Sequence, residues 1–439
     1  MVIDTVTVKY HDFDVGAVSF DTDTGIGEFE YTSSFSSSGL ELSPVMMPLS
    51  DQVYSFPAID RDAFKGLPGL VADSLPDDFG NAVLNSWIAR QGKSPADITP
   101  LERLRYIGKR GMGALTYSPA RRQKGLNASQ RVAIESLVEI AQDIINEREN
   151  FEVAMNKGGK EDVDAMMALM SVGMSAGGAR PKVVVAFNEE FTEVRSGQVN
   201  VPRGFTHYIL KFDGVSEKNT TKETFGDPQG YGAMEYTYYQ MATACGITMM
   251  PCHLLDEGRR RHFVTQRFDR DGNNRSHIQT LNAMAHVSYK HPGEYSYEAL
   301  FSLARQLGLS SDEAKQLFRR MVFNIVARNH DDHSKNFAFM MDDNGQWSLS
   351  PAYDVAYSYA EGNRWIDTHW MELNGKRDLY TRDDFYALST VSPLFTKKFI
   401  DGIIEETKVS VSQWQALAKD NAVPDYLIER IEPNLRLDI

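Results

Sequence analysis

The clearest periodic pattern in the sequence lies between Ser310 and Val326. Apolar side chains recur there three and four positions apart, at Ala314, Leu317, Phe318, Met321, Val322, Ile325 and Val326. This spacing places them on one face of an α-helix. The residues at its start, 310–313, read Ser-Ser-Asp-Glu, which is typical of an N-terminal capping box. The pattern therefore predicts a buried helix that begins near Ser310 and ends shortly before residue 331.

A β-hairpin is predicted a few residues later. Two apolar runs, 337–341 and 346–349, flank the sequence Asp-Asp-Asn-Gly. Asn-Gly between two apolar runs is the strongest short hairpin signal. Because a hairpin returns the chain to its starting point, residues just before and just after it, such as Asn336 and Asp354, are expected to meet at one end.

The rest of the chain alternates between strand and helix patterns. Up to about residue 118 we expect a small α/β unit, with strand-like alternation first and a helical stretch at 80–90. An amphipathic helix follows, with its apolar face at Ile134, Leu137, Val138, Ala141, Ile144 and Ile145. From Met170 onwards the pattern predicts a strand, a Gly-rich loop and a second strand, then a strand at 206–212 and a helix at 234–244. From about residue 295 the chain is predicted to be mostly helical.

Composition and charge exclude several classes of protein. The 439 residues are 42% hydrophobic, and 46 basic against 60 acidic residues give a net charge of −14. This balance argues against a protein that coats nucleic acid or an anionic membrane by itself. Two local basic clusters exist, at Arg103, Arg105, Lys109 and Arg110 and at Arg121, Arg122 and Lys124. The simpler interpretation of both clusters is a solvent-exposed face. The alternative is a contact surface for an acidic partner or for DNA held by a partner.

The sequence also predicts a cytoplasmic protein without a membrane span. Cys245 and Cys252 are too few for a disulfide framework or a zinc cluster. The N-terminus alternates like a strand and lacks the basic and apolar regions of a signal peptide. No stretch of about 18 apolar residues occurs, so we expect no transmembrane helix.

Candidate chemistry centres on Asp331 and Asn336. Asp-x-x-x-x-Asn is the spacing at which enzymes of the protein-kinase type place a catalytic base and a metal ligand. Asn336 and Asp354, brought together by the hairpin, offer hard oxygen ligands of the kind that suits Mg²⁺. Either motif alone favours a polar loop beside a tight hairpin. The two in this order favour phosphoryl transfer.

Motifs upstream of Asp331 are consistent with the same phosphoryl-transfer hypothesis. Residues 172–182 form a Gly-rich segment whose backbone N–H groups could approach phosphate oxygens, although a plain hairpin is the alternative. Lys211 lies near the end of the next strand, where kinases place the lysine that grips the nucleotide phosphates. Glu235, in the first turn of the following helix, either pairs with Lys211 or interacts with the helix dipole. Residues 266–270, here called the hinge, would receive the adenine edge through backbone groups.

The order of these motifs is that of a bilobal kinase. We therefore predict an α+β, bilobal protein-kinase-like fold with an N-terminal α/β subdomain and a mostly helical C-terminal lobe. The predicted domains are 1–120 for the subdomain, 121–290 for the kinase N-lobe and 291–439 for the C-lobe with the catalytic loop and metal site.

With these motifs the chain resembles the HipA family, which comprises the serine/threonine kinase toxins of bacterial type II toxin–antitoxin pairs. The resemblance covers nearly the whole chain. The matching motifs are Leu75-Pro76-Asp77-Asp78 and residues 107–115 in the subdomain, Ser175 to Lys182, Arg267 to Arg270, Asp331 to Asn336, Tyr353-Asp354 and Met371 to Lys376. Found together, these motifs are specific.

The resemblance implies a role for each matching residue. Asp331 would orient and deprotonate the attacking hydroxyl, and Asn336 and Asp354 would hold Mg²⁺. The ATP site would comprise Gly177, Gly178, Ala179, Arg180, Pro181, Lys182, Lys211, Gln266, Arg267, Phe268, Asp269, His333, Lys335, Asn336, Tyr353 and Asp354. Within this set, Lys211 would bind phosphate, residues 266–268 adenine and Asp269 the ribose.

The resemblance also implies regulation and partners. Autophosphorylation at Ser175 would eject the Gly-rich loop and silence the kinase, since the added negative charge is repelled by ATP phosphates. Arg180 stands where the family usually has Gln, and its guanidinium could bind phosphate or pair with phosphorylated Ser175. A HipB-like helix-turn-helix antitoxin would neutralise the toxin and supply most contacts to operator DNA. The substrate would be a host protein such as an aminoacyl-tRNA synthetase, whose phosphorylation arrests growth and leads to persistence.

Two other functions fit part of the pattern. One is a small-molecule kinase with the same bilobal plan, against which the match of the N-terminal subdomain speaks. The other is a nucleotide-binding corepressor without catalysis, against which the complete set of competent catalytic residues speaks.

Overall fold

A computed structural model describes residues 4–121, 126, 129–147, 160–173, 180–216 and 226–439 of the chain. The chain forms two compact units. The first contains the described residues within Met1–Leu42, Met47–Gly232 and His253–Ile278, and the second consists of Ser43–Met46, Ala233–Cys252 and Gln279–Ile439. Both combine helices with sheets, which confirms the predicted α+β class. The predicted division into three domains stays a prediction.

An antiparallel sheet occupies the N-terminal part of the first unit. In sheet order its described strands are Tyr54–Ser55, Ile26–Tyr31, Phe13–Asp21, Thr5–Tyr10 and Leu115–Ser118. Val6, Val8 and Tyr10 are buried while the side chains between them are more exposed, as the two-residue period of a strand requires. The strand-like alternation predicted for this region is therefore confirmed.

Several helices also belong to the first unit. Their bounds are Ser33–Ser36, Arg61–Phe64, Gly69–Ala72, Asp78–Arg90, Pro100–Ile107, Ile134–Glu147 and Lys160–Gly173, with a 3₁₀ turn at Pro95–Asp97. The apolar face predicted around Leu137 and Ile144 lies in a buried core together with Val83 and Leu169. The helices predicted at 80–90 and around 134–145 are confirmed.

The predicted strand at residue 170 is wrong, because the chain is helical there as far as Gly173. Met166, Leu169 and Met170 follow helical spacing and are buried in the core. The continuous apolar run before the Gly-rich segment resembled a buried strand, since a short run of this kind does not distinguish strand from helix. Residues 174–179 lie outside the described residues.

A second sheet carries the predicted nucleotide lysine. In sheet order its described strands are Cys252–Glu257, Arg260–Gln266, Phe205–Lys211, Lys182–Asn188 and Val194–Ser196. The strand Phe205–Lys211 pairs antiparallel with both of its neighbours. Short strand pairs are Val215–Ser216 with Gly226–Asp227 and Arg270–Asp271 with Asn274–Arg275. The strands predicted at 183–187 and 206–212 are confirmed.

The second unit is mostly helical, as predicted. Its helices are Leu281–Ala285, Tyr297–Gln306, Ser311–Val326, Arg382–Tyr386, Lys397–Val411, Trp414–Asp420 and Asp425–Ile431, and most of Tyr231–Ala244 also belongs to it. Its 3₁₀ turns are Ser334–Asn336, Ala387–Thr390 and Glu432–Asn434. Its strands Ala338–Met341 and Trp347–Leu349 form the hairpin, and the strand His277–Thr280 precedes Leu281–Ala285. Across the described part of the chain, no helix is long and apolar enough to cross a membrane.

Two arginines of the basic clusters form ion pairs in the described part of the N-terminal subdomain. Arg105 contacts Glu102 at 2.5 Å and also pairs with Asp4, and Arg121 contacts Glu102 at 2.6 Å. Arg110 is buried. Arg122 and Lys124 lie outside the described residues. Arg121 is half-exposed in its pair, and surface ion pairs of this kind contribute little to stability.

Candidate active site

The loop that carries Asp331 is held by the end of the helix Ser311–Val326. The predicted capping box is present, since the Ser310 hydroxyl accepts from the Glu313 N–H and the Glu313 carboxylate accepts from the Ser310 N–H. After the helix, the Asn329 N–H donates to the Asn324 carbonyl at 2.8 Å. The side chain of Asp331 is 40% exposed. A rigid helix thus delivers a solvent-accessible carboxylate.

Asn336 is bonded directly to the backbone of the predicted base. Its Nδ2 donates to the carbonyl oxygen of Asp331 at 2.6 Å. This bond uses the amide nitrogen and leaves Oδ1 as the atom with which Asn336 would hold a cation. The five-residue spacing therefore has a geometric reason, because it lets the Asn336 side chain fix the loop that carries Asp331.

The hairpin brings Asp354 to the same place. Phe339 lies opposite Leu349 in its antiparallel ladder, so the predicted hairpin is confirmed. Asn336 and Asp354 line one pocket of the second unit. Asp354 has a φ of 52°, a left-handed conformation that is uncommon for residues other than glycine and is concentrated at functional sites.

The donors in this pocket fit a magnesium ion that arrives with its nucleotide. Asn336 and Asp354 supply an amide oxygen and a carboxylate, and Mg²⁺ is usually held by one or two carboxylates, waters and substrate phosphates. Oδ1 of Asn329, which also lines the pocket, is buried and has no hydrogen-bond partner among the described residues. Within those residues no group of three or more His, Cys, Asp or Glu side chains could hold a metal ion. The metal-binding roles of Asn336 and Asp354 stay predictions.

Asp332, the neighbour of Asp331, is an internal anchor. Its Oδ2 accepts from the Tyr297 hydroxyl at 2.6 Å and lies 2.9 Å from Nδ1 of His369. Its Oδ1 accepts from the Trp370 N–H at 2.7 Å. Burial and the charge of Asp332 raise the pKa of Tyr297 well above 10, so the hydroxyl remains a donor. This role could not be predicted from the sequence, because the partners lie more than 30 positions away.

His333 and Lys335 lie within the predicted catalytic loop, residues 331–336, and Tyr353 contacts it. Nε2 of His333 lies 3.6 Å from Oδ1 of Asp331. Nζ of Lys335 lies 4.5 Å from the ring centre of Tyr289, and the Tyr353 hydroxyl donates to the Lys335 carbonyl at 2.7 Å. These contacts hold the loop in place, and contacts of the three residues with a nucleotide stay predictions.

In the first unit, Lys211 and Lys182 are cross-strand partners. They lie directly opposite each other on neighbouring antiparallel strands, and both are buried. Because side chains alternate along a strand, Val184 shares their face, whereas Val183 and Val185 belong to the core on the other face. Two cationic side chains beside an apolar strand surface form an arrangement suited to phosphate groups next to a base.

The hinge contains a buried ion-pair cluster that the sequence did not predict. Arg267 donates to both carboxylate oxygens of Asp269, at 2.8 and 2.7 Å, and Arg270 and the Gly113 N–H also donate to this carboxylate. Burial raises the pKa of Asp269, but the charges of the two arginines and the hydrogen bonds outweigh it, so the pKa lies well below its usual 3.8. The carboxylate thus links the hinge to the subdomain.

This cluster bears on the predicted adenosine contacts. A ribose contact of Asp269 stays a prediction and would have to replace one of these bonds. The Arg267 N–H already donates to the His207 carbonyl at 3.0 Å. Gln266, opposite Tyr208, and Phe268 are both half-buried.

The predicted phosphate loop lies largely outside the described residues. Ser175, Gly177, Gly178 and Ala179 are among the residues that the structure does not describe. In the described continuation, the guanidinium of Arg180 lies 5.8 Å from the ring centre of Tyr231. The Pro181 carbonyl accepts from the Phe212 N–H at 3.0 Å, which aligns the segment with the lysine-bearing strand.

Comparison with solved structures supports the kinase-like fold. The HipA chain of a Shewanella oneidensis MR-1 toxin–antitoxin complex with HipB and operator DNA superposes with a TM-score of 0.66 at 18% sequence identity. The match covers 95% of this chain and 90% of that one. At this identity the likeness establishes the fold.

The alignments with curated relatives cover a smaller share of the chain. "Putative kinase Y4dM" of Sinorhizobium fredii is 24% identical over 251 residues, which cover 54% of this chain and 59% of the relative. "Putative kinase Y4mE" of the same species is 26% identical over 198 residues, 43% of each chain. The chain thus spans about half the length of the curated relatives that it matches.

Family models match most of the sequence. The HipA N-terminal domain matches residues 6–118, and the HipA-like C-terminal domain matches residues 174–414. The second match alone covers more than half of the 439 residues. The match includes the hinge, the catalytic loop and Asp354, so the chain belongs to the HipA family.

Proposed function

We propose that this protein is an ATP- and Mg²⁺-dependent serine/threonine protein kinase that acts as the toxin of a type II toxin–antitoxin module. The observation that carries the proposal is the bond from Asn336 Nδ2 to the Asp331 carbonyl, with Asp354 in the same pocket. The bond ties the loop that carries the exposed Asp331 carboxylate to Asn336. The amide of Asn336 and the carboxylate of Asp354 belong to residues that line one pocket. Protein kinases need this combination of base and metal ligands.

The residues divide the chemistry between them. Asp331 accepts the proton of the attacking hydroxyl, for which its exposure is an advantage. When bound, Mg²⁺ neutralises charge on the nucleotide phosphates. Asn336 and Asp354 are the residues that would hold it, and Lys182 and Lys211 would bind the phosphates.

The partners proposed are those of a cytoplasmic toxin. The Shewanella oneidensis relative was solved with HipB and operator DNA, which supports a HipB-like antitoxin as partner. The net charge of −14 is consistent with an antitoxin that supplies most of the DNA contact. The proposed target is a host protein, for example an aminoacyl-tRNA synthetase, and Ser175 is the proposed site of inhibitory autophosphorylation.

Labelled ATP tests the activity directly. Incubation of the purified protein with γ-labelled ATP, Mg²⁺ and bacterial lysate is expected to label at least one protein band. Asp331→Ala should abolish labelling and growth arrest, whereas Asp343→Asn, in the exposed turn of the hairpin, should retain both. Labelling at the original rate by the Asp331 variant would exclude Asp331 as the base.

A further inference from the structure

The hinge runs into a tight antiparallel hairpin that carries an arginine on each strand. Arg270 and Arg275 lie directly opposite each other in this pair of short strands. Both guanidinium groups reach one segment of the N-terminal subdomain, residues 109–115, here called the subdomain loop. Arg275 belongs neither to the predicted ATP site nor to the predicted metal site, so its contacts need a separate explanation.

Arg275 binds the main chain of the subdomain loop. Its guanidinium donates to four carbonyl oxygens at 2.8 to 3.4 Å, those of Gly113, Lys109, Gly111 and Leu115. Arg270 donates to two of the same carbonyls, those of Gly111 and Gly113, at 3.1 and 3.3 Å. A guanidinium presents five N–H donors in one rigid plane, so it can hold several carbonyls in a fixed arrangement, whereas the ammonium of lysine cannot.

The subdomain loop binds the hinge in return. The Gly113 N–H donates to the Asp269 carboxylate at 2.7 Å. Gly113 has a φ of 66°, and a Cβ atom at this position would lie 3.0 Å from Cγ1 of Ile278. Glycine adopts this left-handed conformation without steric cost. The loop conformation that presents the N–H to Asp269 therefore depends on a glycine.

The hinge main chain is anchored from two directions. On the side of the sheet, the Arg267 N–H donates to the His207 carbonyl at 3.0 Å. On the side of the subdomain, the Asp269 carboxylate is held by Gly113. The peptide groups proposed to receive adenine, residues 266–268, adjoin both anchors. Their position therefore depends on the subdomain loop as well as on the sheet.

We propose that the subdomain loop holds the hinge in the geometry that binds adenine, with Arg275 as a positioning residue, an inference that rests on the proposed kinase function. Arg275 acts through the loop and Asp269 on the hinge main chain, without contact to the nucleotide. The N-terminal subdomain is therefore part of the machinery that sets ATP affinity.

Two ligands, one with adenine and one without, test this role on the whole chain. Isothermal titration calorimetry measures the Kd of ATP·Mg²⁺ and that of inorganic tripolyphosphate·Mg²⁺, which has the phosphates but no base. Arg275→Lys keeps the charge but loses most of the carbonyl contacts, so the Kd for ATP should rise about 5–20-fold. The Kd for tripolyphosphate should change by less than about twofold, because the hinge does not bind phosphate.

Arg61→Lys is the matched control. Arg61 also donates to a main-chain carbonyl of the subdomain, that of Thr24 at 2.9 Å, and its side chain is exposed. This substitution makes the same chemical change outside the subdomain loop, so the Kd for both ligands should stay at the wild-type value.

Steady-state kinetics distinguishes positioning from a general loss of structure. At saturating ATP the kcat of Arg275→Lys should stay within about twofold of the wild-type value, while the KM for ATP rises with the Kd. A general destabilisation would lower kcat and weaken the binding of both ligands together.

Hydrogen exchange in the wild-type protein decides the question if Arg275→Lys does not fold. Coupling between two sites is reciprocal, so ATP should slow amide exchange in the subdomain loop, whereas tripolyphosphate should not. Unchanged exchange at residues 109–115 when ATP binds would overturn the inference.

The outcomes also separate this inference from the proposed function. If Arg275→Lys binds ATP as tightly as the wild type does, or loses ATP and tripolyphosphate equally, the positioning role is overturned and the kinase assignment stays intact. A wild-type protein that neither binds ATP nor transfers phosphate would overturn the kinase assignment and the positioning role with it.

Discussion

Asp331 and Asp332 are neighbours in the chain, yet their carboxylates lie in opposite environments. The side chain of Asp331 is 40% exposed, whereas that of Asp332 is fully buried and bonded to Tyr297, His369 and Trp370. One carboxylate is available for chemistry and the other holds the surrounding segments together. The division predicts different consequences when each is removed.

Alanine at these two positions should separate activity from stability. Asp332→Ala leaves several buried donors without an acceptor, so the free energy of unfolding should fall by roughly 3 kcal/mol or more. Asp331→Ala should change it by less than about 1 kcal/mol, as surface substitutions do, while abolishing phosphate transfer. Urea unfolding followed by circular dichroism measures the first effect, and γ-labelled ATP the second. Equal destabilisation by both variants would contradict the assignment of anchor and base.

Asn336 should serve two functions that different substitutions can separate. Asn336→Asp keeps an oxygen for the cation but loses the donor to the Asp331 carbonyl, whereas Asn336→Ala loses both. We expect Asn336→Ala to weaken apparent Mg²⁺ affinity by roughly 10–100-fold and Asn336→Asp to affect kcat more than Mg²⁺ affinity. Titration of phosphate transfer with Mg²⁺ measures both quantities. Identical Mg²⁺ curves for wild type and Asn336→Ala would rule out a metal-binding role.

The lysine pair should control nucleotide binding. Lys211→Met or Lys182→Met removes one of two positive charges that share a sheet face, so the stabilisation that ATP·Mg²⁺ gives against thermal unfolding should decrease. Because the two side chains are cross-strand partners, their effects on the KM for ATP should not add. Lys419→Met, on an exposed helix, serves as the matched control. Thermal shift at saturating nucleotide provides the measurement, and equal shifts in all three variants would contradict the assignment.

Local sequence patterns predicted the helix before the loop 331–336 and the hairpin after it. The capping box at Ser310, the helix that follows and the Asn344-Gly345 hairpin depend on residues a few positions apart, so the sequence carries their full signal. The meeting of Asn336 and Asp354 followed from the hairpin, because chain reversal brings its two ends together. Secondary structure was least predictable where an apolar run was nearly continuous, as at the end of the helix Lys160–Gly173, because such a run is compatible with both strand and helix.

Long-range pairing could not be predicted in the same way. Asp332 is bonded to His369, 37 positions away, and Asp269 to Gly113, 156 positions away. A carboxylate in a polar loop has the same appearance in sequence whether it becomes a ligand or a buried anchor. Only the three-dimensional partners distinguish Asp331 from Asp332, and they assign Asp269 a structural bond that motif matching did not indicate.

The ion-pair cluster around Asp269 should make the free energy of unfolding decrease at acidic pH. The pKa of Asp269 is lowered by Arg267 and Arg270, so its contribution to folding is fully present above the unfolded pKa, near 3.8. The contribution declines as pH falls below 3.8 and is lost only as pH falls through the much lower pKa of the folded state. Asp269→Asn should therefore be destabilised by about 3–5 kcal/mol at pH 7, because two buried arginines lose their counterion. Below pH 3.8 the difference from wild type should shrink by up to about 1.4 kcal/mol per pH unit. Asp271→Asn, two positions away and exposed, is the matched control. Urea unfolding at a series of pH values measures the difference, and a gap between Asp269→Asn and wild type that does not decrease between pH 4 and pH 2 would show that the carboxylate's charge does not stabilise the hinge.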